Sequence, residues 1–96
     1  MNKNEFKTFI LNKQSGVIVF YSDYCDVCSK YLKIIEQNNL QWEEVSCDDD
    51  VPFFYKQHGI DIIPVTRIYE FGKVVWEKLD ILTPEEIEYV RNYKLP

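Results

Sequence analysis

The stretch Val17-Ile18-Val19-Phe20-Tyr21 limits what this chain can fold into more than any other segment. Its side chains are β-branched or aromatic and no polar residue alternates with them. That is the pattern of a strand covered on both faces, not of one with a face in water. Such a strand needs helices packed above and below it, so its sheet is expected to be at least partly parallel. The run is only five residues long, far short of a membrane span. No long apolar segment follows Met1-Asn2-Lys3-Asn4-Glu5, so neither a signal peptide nor a membrane anchor is read, and a cytoplasmic location is expected.

The flanking segments supply the helices. Phe6, Phe9, Ile10 and Lys13 recur at helical spacing, with Asn2 or Asn4 as N-cap, and predict a first helix that ends before Ser15-Gly16. From Cys25 to about Asn38, Val27, Cys28, Tyr31, Leu32, Ile34 and Ile35 describe one broad apolar helix face. Trp42 to Cys47 reads as a short strand with Val45 and Cys47 on one face and Trp42, Glu44 and Ser46 on the other. Asp48-Asp49-Asp50 offers N-caps and Pro52 suits a first turn, predicting a helix from Val51 to about His58 that Gly59 closes. Val65 to Phe71 and Val74 to Lys78 flank Gly72-Lys73 as a hairpin. Thr83-Pro84-Glu85-Glu86 is a capping box that opens a last helix, to about Tyr93. The order describes an α/β fold of about four strands, and 96 residues suit one domain, 1–96.

The formal charge is -5, and no Lys and Arg cluster is present to neutralise phosphates, which argues against a nucleic-acid partner. Three cysteines make an odd number, and two of them form Cys25-Asp26-Val27-Cys28, so catalytic or metal-binding thiols fit better than a disulfide framework. The pair falls after the first strand, where open α/β sheets place their sites. Free N–H groups at a helix start stabilise a thiolate, which suits Cys25 as the attacking thiol. Cys28, one turn further and shielded by the apolar face, suits the resolving one. Two other readings stand beside this one. Cys28 reads also as an ordinary core cysteine. A zinc site would need Cys25, Cys28, Cys47 and the single His58, pulling the last two from their core and helix positions, so no metal is assigned. Cys47 reads as structural.

Over most of its length the chain resembles the thioredoxin family. The resemblance lies in Val17-Ile18-Val19-Phe20-Tyr21 before Cys25-Asp26-Val27-Cys28, then Val45-Ser46-Cys47-Asp48, Ile63-Pro64-Val65 and Gly72-Lys73-Val74. It implies a thioredoxin-like mixed sheet flanked by helices, without the extra N-terminal strand of full thioredoxins. It implies reduction of protein disulfides by a monomer, with no cofactor beyond a reversible Cys25–Cys28 disulfide and with electrons from a thioredoxin reductase or, alternatively, glutathione. It further implies that Pro64 is cis beside the cysteines, where adjacent backbone pairs with a substrate strand. Tyr24, Asp26, Val27, Ile63, Pro64 and Val65 are then the substrate-binding candidates, with Tyr24, Val27, Ile63 and Val65 as an apolar rim. Without the resemblance, Pro64 reads as the start of an edge strand.

The chain departs from the family at several points. Tyr24 replaces the usual tryptophan, and Asp26-Val27 the usual Gly-Pro. Val19 stands where thioredoxins bury an aspartate, and Glu44 where that aspartate has a lysine partner. Glu44 is read either as a replacement proton relay for Cys28 or as an ion-pair partner of Arg67. Asp23 and Asp26 place negative charge beside the thiolate, which predicts a reducing poise. A glutaredoxin is the competing reading, yet Ser22-Asp23-Tyr24 lacks the family's basic residue and only Gly72 follows Pro64 where glutaredoxins carry a Gly-Gly pair. Asp23, Asp26 and Asp61 would repel an anionic tripeptide and suit a basic protein surface, or serve only solubility and capping. A redox-inactive partner-binding module is the third reading.

Overall fold

The computed structural model describes residues 1–96. In chain order the elements are α1 (Lys3–Leu11), β1 (Gly16–Tyr21), α2 (Asp26–Gln37), β2 (Glu43–Ser46), α3 (Val51–His58), β3 (Val65–Glu70), β4 (Lys73–Leu79) and α4 (Pro84–Asn92). The four strands form one sheet in the order β2-β1-β3-β4. β1 runs parallel to β2 and antiparallel to β3, which pairs antiparallel with β4, so the sheet is mixed. No helix is long and apolar enough to cross a membrane.

Local chemistry explains where the helices begin and end. Asn2 accepts the Glu5 N–H at 2.8 Å while the Glu5 carboxylate accepts the Asn2 N–H at 3.0 Å, a capping box for α1. Thr83 and Glu86 repeat that arrangement at α4. Asp50 caps α3 by accepting the Phe53 N–H at 3.1 Å, and Gly59 closes the helix at φ 67°.

The two faces of β1 lead into two cores. Ile18 and Phe20 pack with Phe6 and Phe9 of α1 and Phe53 and Phe54 of α3. Val17 and Val19 pack with Tyr31 and Ile35 of α2 and Ile87 and Val90 of α4. Unbroken apolar character in β1 is thus the direct result of having a pair of helices on each side.

The hairpin turn falls one residue earlier than the sequence predicts. Its central residues are Phe71 (φ 53°) and Gly72 (φ 80°), and Lys73 already pairs with Glu70 as part of β4. Positive φ at both centres marks a type I′ turn, whose twist matches its strands, and makes Phe71 a turn residue despite its bulk. Gly72 is required for a second reason: a Cβ there would lie 2.9 Å from the Ile10 carbonyl oxygen. The tip is held to the α1–β1 loop by Gly72 N–H to the Gln14 carbonyl at 2.9 Å and Phe71 N–H to Ser15 Oγ at 3.0 Å.

Two polar side chains of β3 are buried, Thr66 and Arg67, on opposite faces. Arg67 donates from Nε to Glu77 at 2.7 Å and from Nη1 to the Tyr69 hydroxyl at 3.2 Å, with its guanidinium over the Phe20 ring. This overturns the ion pair read between Arg67 and Glu44. Arg67 is registered with Ile18 and Glu44 with Val19, so the two side chains leave opposite faces of the sheet. Thr66 shares a hydrogen bond of 2.7 Å with the Tyr31 hydroxyl of α2. Tyr31→Phe would leave the Thr66 hydroxyl buried and unpaired, so a loss of about 1–3 kcal/mol is expected. A lower urea midpoint with an unchanged slope checks it, and the Tyr31→Phe, Thr66→Val double variant should lose less than the two singles together.

Candidate active site

Strand β1 ends at Tyr21, and the chain then turns sharply into α2. Cys25 is the N-cap of that helix, in extended conformation (φ −110°, ψ 106°), and its Sγ accepts the Cys28 N–H at 3.1 Å. The helix therefore starts at Asp26, one residue later than the sequence predicts, because the thiol takes the place an Asn or Ser side chain would hold. Cys25 is partly exposed, whereas Cys28 is completely buried. Burial, and then its contact with the Cys25 side chain, pushes the Cys28 thiol up to about 11; a backbone hydrogen bond from Ser22 works in the opposite direction. At neutral pH Cys28 holds its proton.

The loop carrying Cys25 is pinned by one carboxylate. Ser22 Oγ donates to Asp48 at 2.5 Å and the Asp23 N–H donates to the other Asp48 oxygen at 2.8 Å. Ser22 Oγ accepts the Tyr24 N–H at 3.1 Å, and the Ser22 carbonyl accepts the Cys25 N–H at 3.2 Å. The bond from Ser22, and after it that from the Asp23 N–H, hold the Asp48 carboxyl below the usual aspartate range. The three consecutive aspartates read alike in sequence as caps, and the structure divides their work. Asp50 caps α3, Asp49 accepts the Lys3 N–H, and Asp48 turns back to the dithiol loop. Only its position just past β2, with Cys47 between, could have signalled this role.

Register places the proline strand beside that loop. Phe20 pairs with Val65, so Pro64 and Ile63 follow alongside the end of β1. The Ile63–Pro64 peptide is cis. The Pro64 carbonyl accepts the Asp80 N–H at 2.9 Å, while the N–H and carbonyl of Ile63 take no part in the backbone hydrogen bonding. Around the dithiol, Tyr24 is 92% exposed and Val27 50%, and Asp26 is also exposed. Pro64 is buried and Ile63 half-buried. Val65 corrects the reading of an apolar rim: its side chain is buried in the core with Phe20 and Ile60 and cannot meet a partner. Ile62, which sequence reasoning missed, is 50% exposed.

The other candidates lie apart. Cys47 is buried among Phe20, Val45 and Phe53, and burial pushes its thiol up to about 12. His58 sits edge-on to the rings of Phe6 and Phe53 at 4.9 and 5.0 Å, so it is a packing residue. No group of three or more His, Cys, Asp or Glu side chains is arranged to hold a metal ion. Glu44 is half-buried and its charge acts on Tyr21, whose phenol is raised first by burial and then by Glu44. The carboxylate whose charge reaches Cys28 is Asp48.

Because Asp48 binds the loop as a carboxylate, its ordering effect should be complete above the ordinary aspartate range and fade as pH falls through its depressed value. Asp48→Ala should raise amide exchange at Asp23 and Tyr24 by roughly tenfold or more, with Asp48→Asn intermediate, as read by hydrogen-exchange NMR.

No protein-family model and no curated protein matches the sequence. Solved structures do match the fold. The chain is similar to thioredoxin f2 of Chlamydomonas reinhardtii, with TM-score 0.76 and 18% identity over 100% of this chain and 95% of that one. It is similar to Plasmodium falciparum thioredoxin, with TM-score 0.74 and 17% identity over 97% and 95% of the two chains. Thioredoxin from Trypanosoma brucei brucei matches with TM-score 0.72 and 14% identity over 96% and 88%. At these identities the likeness is one of architecture, and the chain has the thioredoxin fold, with Cys25 and Cys28 at the mouth of its second helix.

Proposed function

We propose that this protein is a thiol-disulfide oxidoreductase that reduces protein disulfides with Cys25 and Cys28. The observation that carries the reading is the asymmetry of the pair: an accessible thiol caps a helix one turn from a buried thiol that stays protonated. The likeness to thioredoxins supports it.

In the forward reaction the Cys25 thiolate attacks one sulfur of the partner's disulfide. A mixed disulfide forms, and the other partner sulfur leaves as a thiolate that takes a proton from water. Negative charge on Cys25 before attack faces the free N–H end of α2, where the Cys28 N–H already points at the sulfur. Cys28 then loses its proton to water and attacks Cys25 Sγ, which breaks the bond between Cys25 and the partner, whose departing thiolate takes a proton from water in turn. The Cys25–Cys28 disulfide forms, the partner's second sulfur is released, and two electrons have passed to the partner. Burial keeps Cys28 from competing for the first step.

The unpaired N–H and carbonyl of Ile63 are the backbone groups to which an extended partner segment would bind, next to Pro64, with Tyr24, Val27 and Ile62 as the apolar rim and Asp26 at its edge. The proposal includes a reducing poise, a monomer, a thioredoxin reductase as electron donor in preference to glutathione, and a cytoplasmic location, where cellular thiols stay reduced.

Cys28→Ser should accumulate a stable mixed disulfide through Cys25 when mixed with a protein disulfide, and Cys25→Ser should accumulate none. If Cys28→Ser traps nothing and the wild type reduces nothing, while the double serine variant still binds partners, the chain is a binding module. Activity confined to glutathione-linked substrates would instead mark a glutaredoxin. In the native reduced protein at pH 8, iodoacetamide should modify Cys25 alone by peptide mass mapping, with Cys28 protected until the pH nears its raised value. Glu44→Gln decides the relay role read for Glu44: an unchanged pH–rate profile removes it from the reaction, and a shifted one places it in the path of the Cys28 proton.

A further inference from the structure

Most ion pairs in this protein lie away from the dithiol, and the carboxylates near the dithiol have no cation. Lys3 meets Asp50 at 2.5 Å, Arg67 meets Glu77 at 2.7 Å, Lys78 meets Glu86 at 3.3 Å, and Arg91 meets Glu88. Asp23 and Asp26 flank Cys25, Asp48 binds Ser22 and the Asp23 N–H, and Asp61 precedes Ile62-Ile63-Pro64; none of the four enters an ion pair. The segments Ser22 to Cys28 and Gly59 to Pro64 contain no Lys or Arg. The first cation along α2, Lys30, is one turn beyond Asp26 and forms no ion pair either. The carboxylates of Asp23, Asp26 and Asp61 accept no hydrogen bond from the protein and are exposed to solvent. Next to them in the same two segments are the exposed apolar side chains Tyr24, Val27 and Ile62 and the unpaired backbone of Ile63, and the Phe20–Val65 register runs the two segments past each other.

A field of one sign around a reactive thiol acts on encounter more than on the strength of any one contact. Each exposed pair contributes little, but several like charges raise the association rate of an oppositely charged partner and suppress like-charged ones. Resting on the oxidoreductase reading, we infer that the site selects disulfides borne on extended segments of partner proteins with Lys or Arg beside the cysteine. The cations of such a segment meet Asp23, Asp26 and Asp61, its apolar side chains lie on Tyr24, Val27 and Ile62, and its backbone pairs with Ile63. An acidic segment, or the carboxylates of glutathione, meets like charge at the same three positions.

Three peptides of equal length and sharing one intrachain disulfide, flanked by Lys and Arg, by Ser and Gln, or by Asp and Glu, separate the outcomes. Stopped-flow rate constants for their reduction by the reduced wild-type protein should fall in that order, with the basic peptide about tenfold or more faster than the acidic one at low ionic strength. The advantage should collapse in roughly 0.5 M salt, where screening acts within a few ångströms. Asp23→Lys with Asp61→Lys should invert the order. Equal non-zero rates for the three peptides, or a ratio that neither salt nor the double variant moves, would overturn the selectivity and leave the oxidoreductase standing. Reduction of none of the three would overturn the oxidoreductase reading itself.

Discussion

Strand β1 has no face to offer water, and the rest of the molecule is arranged around that fact. It lies between β2 and β3 and buries Ile18 and Phe20 on one side and Val17 and Val19 on the other. Covering both sides takes two helices each, supplied by chain that must cross the sheet and return. The crossing from the carboxyl end of β1 into α2 is where the backbone leaves the ladder. Its N–H groups there need new partners. Asp48, at the parallel end of the neighbouring strand, supplies them through Ser22 and Asp23, and so the loop bearing Cys25 is fixed from the side.

Pattern and capping made most of this legible in the chain. All eight elements lie within about two residues of where hydrophobic period and end signals put them, because each helix has its own cap and β1, β3 and β4 each have a run of β-branched or aromatic residues, whereas β2 has only Val45 of that kind. What stayed hidden depends on three-dimensional neighbours. Phe71 carries no turn signal; the twist of the hairpin and the closeness of Ile10 assign it and Gly72 their places. Opposite charge alone makes Arg67 and Glu44 a candidate pair in the sequence, but strand register sends them to different faces. Val65 and Ile62 exchange roles because the chain is still outside the sheet at Ile62 and fully inside it at Val65. Asp48 was concealed among identical neighbours, since a run of three aspartates says nothing of which one turns back.

The three thiols show how one chemical group is given different work by burial alone. Cys47 is enclosed by aromatic and aliphatic side chains and is inert packing. Cys28 is as deeply buried but lies against Cys25, whose Sγ accepts its N–H. Cys25 alone meets solvent. Under the proposed function this layout puts Cys25 first in the order of events and Cys28 second.

The hydroxyl pair of Tyr31 and Thr66 gives this order its geometry. A helix resting on a sheet through methyl and methylene groups alone is free to roll by some degrees or slip by a fraction of a turn, since dispersion contacts have shallow angular preference. A hydrogen bond at 2.7 Å has a steep one. Tyr31 lies one turn beyond Cys28 on the same helix face, and Thr66 lies two residues beyond Pro64 on β3. The bond between them therefore acts as a detent. It ties the roll of the dithiol helix to the proline strand, and under the proposed function it would thereby limit the direction from which a partner sulfur lines up with Cys25.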